Sequence, residues 1–482
     1  MNELNFLLTS VGRRSYLVKY FKQALNGNGK VFVANSSSQN PAFQVADGSV
    51  VTPLIYDDEY IPFLLKYCRE KRICAIISLF DIDLPILAKH KELFKENGVN
   101  VIVSDYDVIK ICNDKYLTYN FLKQNNLNVP RTYIDIDKAK RDIKSEKLNF
   151  PVFVKPRWGM GSISVFEASD IDELEVFYRK VKRELKDSYL KYESAIDIDN
   201  AVLIQEKLKG QEFGLDVIND LHGKYQNTIV KKKLAMRSGE TDCAVTVDND
   251  NLSRIGEKLS ILLKHIANLD VDVFMVDEEP YILEMNARFG GGYPFSHMAG
   301  VNLPKAIIEW LKGNNVENLL EAKSMVMCQK DINLVYLNKK NFEYKKIDNV
   351  KLYNALKNLQ NHITPTLLER GINIEEYAEK LSTFGTSVAA YVNGDICGVI
   401  SGYLNKNIGY VSIFIVNKEF QGLNIGKELL KRFEFEAKNN GIKVLKLEVR
   451  KNNKAAIGFY EHFSFNIVSN ASNESYYMEK KL

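Results

Sequence analysis

One stretch restricts the fold of this chain more than any other: Asp272-Val-Phe-Met-Val-Asp-Glu-Glu-Pro-Tyr-Ile-Leu-Glu284-Met-Asn286-Ala-Arg288-Phe-Gly290-Gly291-Gly292. Residues 273–276 are an apolar run, 277–280 read as a turn and 281–285 as a returning strand, so the spacing predicts a β-hairpin. Asp272 opens the first strand and Glu284 closes the second, which brings the two together in an antiparallel pair. Glu284 and Asn286 are two residues apart and leave the same face of the strand. Two carboxylates and an amide oxygen form an oxygen-only site of the kind that suits Mg²⁺. Arg288 continues along that face, where a guanidinium would meet phosphate oxygens. Three consecutive glycines then allow a backbone to approach a ligand closely. Read alone, the same residues also describe an exposed acidic hairpin with a glycine turn.

A chain of 482 residues, 45% hydrophobic and 26% charged, holds two or three soluble globular domains. Its net charge of +4 argues against a dedicated nucleic-acid binder, which would carry a concentrated basic stripe. Six cysteines are scattered without the close pairs of a zinc site and fit a reducing cytoplasm. No apolar run reaches bilayer length, and the first ten residues lack the pattern of a signal peptide. A cytoplasmic protein with no membrane partner is the expectation.

The first third alternates strands and helices. Strands are expected at 5–8, 30–34, 73–78 and 100–103, with helices at 16–25, 58–71 and 84–97. That alternation predicts a parallel sheet with helices on both faces. Ligands sit at the carboxyl ends of such strands, where Gly12, Arg13, Arg14, Asp81 and Asp83 fall. Arg13 or Arg14 suits an anionic substrate, or equally a helix entry.

In the middle third, Asp114-Lys115 opens a helix ending near Gln124. Lys155 ends a strand and is followed by Gly159-Met-Gly161-Ser162, a turn rich in free N–H groups between two strands. Residues 202–218 read as a surface hairpin through Gln205, Glu206, Leu208 and Glu212. Lys231-Lys232-Lys233 is the one notable basic run; it reads as a solvated face, or, with Arg237, as cations facing a phosphate or carboxylate.

The ordered set Asn113-Asp-Lys115, Val154-Lys155-Pro156 with the glycine turn, Gln205-Glu206 with Gly210-Gln-Glu212-Phe, and Asp272 with Glu284-x-Asn286-x-Arg288 resembles the ATP-grasp superfamily. The likeness spans residues 1–318 and is to the carbamoyl-phosphate-synthase-like branch. It implies a Rossmann-like domain over 1–110 and an ATP-grasp domain of two α+β subdomains over 111–318. It also implies that Lys115 and Lys155 bind ATP phosphates under the loop of Gly159, Gly161 and Ser162. Gln205, Glu206 and Leu208 would line the adenine pocket and Glu212 would hold the ribose. Asp272, Glu284 and Asn286 would hold Mg²⁺ or Mn²⁺, and Arg288 would stabilise the transferring phosphoryl group. The family usually has a glutamate where Gln205 stands.

Residues 313–330 read as a domain boundary. Beyond it, strands are expected at 332–337, 387–392, 397–404, 409–416 and 444–450, with a turn at Asn393-Gly394. The loop Gln421-Gly422-x-Asn424-x-Gly426-Lys427 and the segment Asn453-x-x-Ala456-x-x-Phe459-Tyr460-x-x-x-Ser464-Phe465 resemble the GNAT acetyltransferases, over 330–482, a mixed-sheet fold. By that resemblance Gln421 to Lys427 would cradle the pyrophosphate of acetyl-CoA and Asn453 would contact its pantetheine arm. Tyr460 would protonate the leaving thiolate. Glu448, on the preceding strand, would act as base, or is simply an exposed strand carboxylate. Asn424 and Ser464 stand where the family usually has glycine.

The combined reading is a bifunctional enzyme. A carboxylate–amine ligase acts through an acyl phosphate, and an acetyl-CoA-dependent N-acetyltransferase serves the same small-molecule or surface-sugar pathway. Its partners are small-molecule acids and amines, and a homo-oligomer is compatible with it. Two other readings stand beside it: a nucleotide- and CoA-binding regulator with a degenerate acetyltransferase half, and a carbamoyl-phosphate-synthase-like enzyme.

Overall fold

The computed structural model describes residues 4–159, 161–188, 190–316, 318–335, 337, 342–392, 394–405 and 407–482. It divides into two compact units, Met1–Leu337 and Asn338–Leu482.

The first unit opens with β1 (Asn5–Thr9), β2 (Val31–Asn35), β3 (Gly48–Val51), β4 (Ile73–Ser78) and β5 (Asn100–Val101). All pair in parallel, in the order β3-β2-β1-β4-β5. Apolar runs such as Phe6-Leu7-Leu8 are buried on both faces, as covered parallel strands require. Helix α1 (Ser15–Leu25) packs Leu17, Val18 and Phe21 onto this sheet. The single helix expected at 84–97 is two, Asp83–Lys89 and Lys91–Glu96, broken at His90. The short β3 was not anticipated.

Asp83 is fully buried beneath the carboxyl ends of β1 and β4. Its carboxylate accepts from Thr9 Oγ1 at 2.5 Å, Ser78 Oγ at 2.8 Å, Tyr60 Oη at 2.9 Å and Ser10 Oγ at 3.2 Å. It therefore pins the loop of residues 10–14 instead of facing a ligand. Burial pushes this carboxyl up, against those four donors.

Two antiparallel sheets follow. The first holds β6 (Thr132–Tyr133), β7 (Val152–Pro156), β8 (Phe166–Ala168) and β9 (Val202–Glu206), in the order β6-β9-β7-β8. The second holds β10 (Gln211–Asn219), β11 (Tyr225–Arg237), β12 (Glu240–Thr246), β13 (Asn268–Val276), β14 (Glu279–Asn286) and β15 (Met327–Gln329), in the order β14-β13-β10-β11-β12-β15. Helix α2 (Lys115–Gln124) precedes both, its Asp114 N-cap accepting from the N–H groups of Tyr116 and Leu117.

The surface hairpin expected over 202–218 does not form. β9 pairs with β6 and β7, while β10 pairs with β11 and β13, so the chain crosses from one sheet to the other between them. Gly210 makes the crossing possible, because a Cβ there would lie 2.1 Å from the Met275 carbonyl oxygen.

The β13–β14 hairpin does form. Its turn is only Asp277-Glu278, both at positive φ (49° and 66°), the conformation favoured in two-residue hairpins. Residues 327–330, inside the expected boundary, belong to the first unit: β15 pairs with β12, and Lys330 N–H donates to Asp242 O at 2.8 Å. No strand forms at 332–335, and Tyr336, the next residue of that expected strand, lies outside the described residues.

The second unit is one sheet of β16 (Phe342–Lys346), β17 (Thr386–Val392), β18 (Asp395–Asn405), β19 (Ile408–Val416), β20 (Val444–Arg450), β21 (Asn466–Asn470) and β22 (Ser475–Lys481). Its order is β16-β17-β18-β19-β20-β22-β21, parallel only between β19 and β20. That parallel pair is matched over 408–411 and 444–447 alone, although both strands run further. Helix α3 (Ile425–Asn439) buries Ile425, Leu429, Leu430 and Phe433 on the sheet, and α4 (Lys454–His462) follows β20. Asn393 of the expected turn lies outside the described residues. Among the described residues no helix is long and apolar enough to cross a membrane.

Gly210→Ala forces a methyl group into backbone at the sheet crossing. It should destabilise the protein by about 1–3 kcal/mol, read as a lower urea midpoint, whereas Gly98→Ala, with nothing within 4 Å of its Cβ position, should show only the strain of its positive φ.

Candidate active site

One face of the six-stranded sheet carries the charge. β13 buries Leu269, Val271 and Val273 and so turns Asp270 and Asp272 to the opposite face. On β14, Ile282 opposes Val273 but Glu284 opposes Asp272, leaving Leu283 as a bulge. The extra residue switches the alternation: Ile282 is buried in the core before it, Met285 and Ala287 after it. Glu284, Asn286 and Arg288 are thereby delivered to the face that holds Asp270 and Asp272. All five line a cavity of about 270 Å³.

The neighbouring strands complete the pattern. Lys233 Nζ donates to Asp272 Oδ1 at 2.6 Å and Glu212 Oε1 at 2.7 Å. Burial works to lower this amine and the two carboxylates outweigh it, raising it. Lys231, only 2% exposed, is bonded to the fully buried Asp216, which also accepts from Ser296 Oγ and, at 3.1 Å, from Asn268 Nδ2. Gly214 leaves room for both lysines, since its Cβ would stand 3.3 Å from Lys233 Cε and 3.7 Å from Lys231 Cε. Arg288 forks onto Asp81 at 2.9 and 2.8 Å, with Asp270 at 3.7 Å.

Lys115 and Lys155 arrive from elsewhere in the chain. Lys115 Nζ is 4.0 Å from Glu284 Oε2 and bonds the Gly159 carbonyl. Lys155 is buried and donates to Gln205 Oε1 at 2.6 Å. Burial, then the charge of Lys115, lowers its amine to about 8. Burial works to raise the Glu284 carboxyl, but Lys115 and Lys155 outweigh it and the net shift is down. Arg157 ties this corner together, forking onto Asp114 at 2.8 Å twice and reaching Asp197 at 2.9 Å. The turn after β7 holds Gly161 and Ser162 at positive φ (63° and 55°). It rests on the β11–β12 turn, where a Cβ on Gly239 would be 2.3 Å from Ser162 Oγ. Met160 lies outside the described residues.

The adenine and ribose residues sit differently. The Gln205 amide is only 2% exposed and committed to Lys155 and, through Nε2 at 2.9 Å, to Thr132 Oγ1. Glu206 accepts the Arg131 N–H at 3.0 Å, Leu208 is half-buried, and Glu212 is engaged by Lys233. None of the four lines the cavity of Asp272 and Glu284.

The set Asp272, Glu284 and Asn286 is oxygen-only and converges, with Asn286 Nδ2 3.3 Å from Glu284 Oε1, which fits a hard divalent cation. Among the described residues no group of three His, Cys, Asp or Glu forms a metal site. A second, small cavity beside Lys115 and Glu284 includes Asn113, whose Oδ1 is buried without a partner, a polar atom left for a ligand.

Asp270 and Asp216 were not singled out, Asp81 was placed only at a strand end, and Lys231 and Lys233 only within a basic run that could face a phosphate or carboxylate. The signal was present as alternation, in Glu212-x-Gly214-x-Asp216, Lys231-x-Lys233 and Asp270-x-Asp272. Lys231 and Lys233 are buried, which corrects the solvated-face reading of that run.

In the second unit, Gly422 (φ 80°) and Asn424 (φ 62°) lead into α3, and Asn424 caps it with no side-chain bond, leaving its first N–H groups without a capping side chain. Gln421 Nε2 donates to Val416 O at 3.2 Å. Gly426 lies against Phe459, 3.3 Å from an added Cβ, and Lys427 follows in the first turn. Asn453 spends its side chain capping α4 through Ala456 N–H at 3.1 Å. The Tyr460 ring packs among Phe414, Phe459 and Phe465, and burial pushes its phenol up. Glu448 is exposed on β20, hydrogen-bonded by Ser475.

Three stretches of the chain match models of known families. Residues 6–102 match the model of the PylC-like N-terminal domain. Residues 199–340 match that of the ATP-grasp in the biosynthetic pathway with Ter operon, and 353–465 that of the acetyltransferase (GNAT) family. The chain therefore carries a segment similar to ATP-grasp ligases, followed by one similar to GNAT acetyltransferases. The carbamoyl phosphate synthase large chain of Pseudothermotoga lettingae is 22% identical over 305 residues, 60% of this chain and 26% of that one. The chain thus spans about a quarter of the length of such relatives. D-alanine–D-alanine ligase A of Clostridium perfringens is 26% identical over 278 residues, 52% of this chain and 85% of the ligase. The fold is shared with the ADP complex of N5-carboxyaminoimidazole synthetase from Staphylococcus aureus, at TM-score 0.51 and 17% identity over 74% of this chain and 87% of that one. It is shared also with the biotin carboxylase domain of Hydrogenobacter thermophilus 2-oxoglutarate carboxylase, solved with MgADP and bicarbonate, at TM-score 0.52 and 16% identity over 65% and 70% of the two chains.

The lowered Lys155 amine has a thermodynamic signature. Between about pH 8 and 10.5 the unfolded chain holds a proton on this lysine that the folded chain has released, so stability climbs with pH across that window. Urea unfolding at the two ends of the window should show the climb in the wild type and lose this increment in Lys155→Met.

Proposed function

We propose that the first unit, with a Rossmann-like part over 1–110 and an ATP-grasp part over 111–318, joins a carboxylic acid to an amine at the expense of ATP. An oxygen of the substrate carboxylate attacks the γ-phosphorus, the bond from that phosphorus to the β,γ-bridging oxygen breaks, and ADP leaves with the electron pair. The amine nitrogen then attacks the acyl carbon of the acyl phosphate. Inorganic phosphate departs, and the amine proton passes to solvent or phosphate. Lys115 and Lys155 take the phosphate charge, and the N–H groups at Gly159, Gly161 and Ser162 take its oxygens. Arg288 and Lys233 stand on the cavity wall for the transferring phosphoryl group. Asp272, Glu284 and Asn286 would hold Mg²⁺ or Mn²⁺, which neutralises phosphate charge when bound. Gln205, Glu206, Leu208 and Glu212 are assigned to the nucleoside by family likeness alone.

The observation that carries this reading is the meeting of Glu284 with Lys115 and Lys155, three residues on separate segments whose charges perturb one another. Glu284→Ala should keep the wild-type circular dichroism spectrum and lose ADP release with Mg-ATP, a carboxylic-acid pool and an amine pool by at least about a hundredfold. Persistent turnover would remove the site from this face.

The second unit, Asn338–Leu482 within the 330–482 expected from sequence, is read as transferring acetyl from acetyl-CoA to an amine of the same pathway. The residues from Gln421 to Lys427 cradle the pyrophosphate, helped by the N–H groups at the start of α3. Asn453 meets the pantetheine arm through its remaining amide protons. Glu448 takes the amine proton. Tyr460 returns one to the thiolate, consistent with a phenol held protonated by its apolar surroundings. Tyr460→Phe should bind acetyl-CoA as the wild type does in calorimetry and lose acetyl-transfer kcat by about 10²-fold.

A further inference from the structure

We propose that the acid taken by the first unit is at least dianionic: besides the carboxylate that is phosphorylated, it carries a second anionic group, carboxylate or phosphate-like, held by Arg13 and Arg14. The identity of the first carboxylate rests on the ligase reading above; the second charge rests on the following geometry.

The cavity of about 270 Å³ extends beyond the carboxylate face to the loop of residues 10–14, the β11–β12 turn at 239–241, and Gly291-Gly292. Its cations differ in one respect. Lys231 is paired with Asp216, Lys233 with Asp272 and Glu212, and Arg288 with Asp81. Among the described residues Arg13 and Arg14 form no ion pair within 4.0 Å, and the side-chain bond of Arg14 goes to an uncharged acceptor, the Leu79 carbonyl. The acid nearest to them in charge, Glu240, is paired with Lys330 at 3.1 Å; burial works to raise its carboxyl, and Lys330 first, then Arg14 and Arg13, outweigh it. Two guanidinium groups, Arg13 exposed and Arg14 half-buried, therefore stand at the cavity wall without an ion-pair partner within 4.0 Å among the described residues, placed to take an anion.

The backbone adds to this. Ser10 and Gly12 are at positive φ (52° and 54°), and α1 starts at Ser15 with no side chain capping its N–H groups. The loop is not free to collapse onto another partner, because Thr9 and Ser10 are fixed by Asp83.

The test uses the full chain with Mg-ATP and an amine pool, and compares glutarate and 3-phosphonopropionate with monomethyl glutarate, which keeps the length and removes one charge. At least one dianion should exceed the ester in kcat/KM for ADP release by about tenfold or more; whichever leads tells carboxylate from phosphate-like recognition. Arg13→Ala should collapse that ratio toward one through KM, and Arg13→Lys should restore part of it. Equal use of the ester by the wild type, or an unchanged ratio in Arg13→Ala, overturns the proposal. So does weakening of ATP binding in Arg13→Ala to the same extent, which would assign the arginine to the nucleotide. If no acid supports ADP release, calorimetric titration of the same three compounds decides. Dianion binding that Arg13→Ala abolishes upholds this site while the ligase reading falls, and failure of both dianions to bind sinks the site itself.

Discussion

Leu283 is one residue more than the pairing of β13 with β14 needs, and the site depends on it. Without the bulge Glu284 would follow Ile282 and Pro280 toward the core, and an unpaired carboxylate there would be costly. With it, the core takes Met285 and Ala287, and Glu284, Asn286 and Arg288 fall on the face that Asp270 and Asp272 already occupy. A strand that must bury one side and carry chemistry on the other gains both by a local change of register.

That face is stable only because its charges compensate. Buried ions are tolerated when paired, and the loss of one partner is far more damaging than the pair is stabilising. Lys233 serves two carboxylates, and Lys231 and Arg288 each have their own. A cation bound by Asp272 would compete with Lys233 for the same oxygen and free its ammonium for phosphate. The pairing keeps the acids and lysines of this face in place. The paired charges on the sheet contrast with Arg13 and Arg14 of the 10–14 loop, which form no ion pair within 4.0 Å among the described residues.

Much of this was legible in the chain itself. Period-two alternation, a turn signal and paired acidic positions yield the hairpin and its three site residues; the β–α alternation yields the parallel sheet. The errors have physical causes. A run of three lysines has the composition of a solvated face, and only the register with Gly214 shows that two of them fill space a larger side chain would have taken. Residues 202–218 look like any hairpin, because nothing local says that each strand pairs with a different sheet; the signal was Gly210, needed for a backbone contact more than sixty residues away. The apolar residues at 332–335 suggested a strand, but β12 already takes β15 as its neighbour at the sheet edge. Asp83 was placed at a ligand end, yet its four donors make it an anchor.

The two units share one backbone device, a turn at positive φ next to a helix or strand end. In the first, Ser10 and Gly12 precede α1, and Gly161 and Ser162 form the turn beyond Lys155, all at positive φ. In the second, Gly422 and Asn424 precede α3 in the same conformation, and Ser464 adopts it after α4. Glycine enters this region at little cost, asparagine with more, and serine with more again. The replacement of glycine at 424 and 464 therefore leaves the loop geometry intact and transfers a cost to folding. Asn424 reaches φ 62° and caps α3 without a side-chain bond, so its departure from glycine bears first on stability.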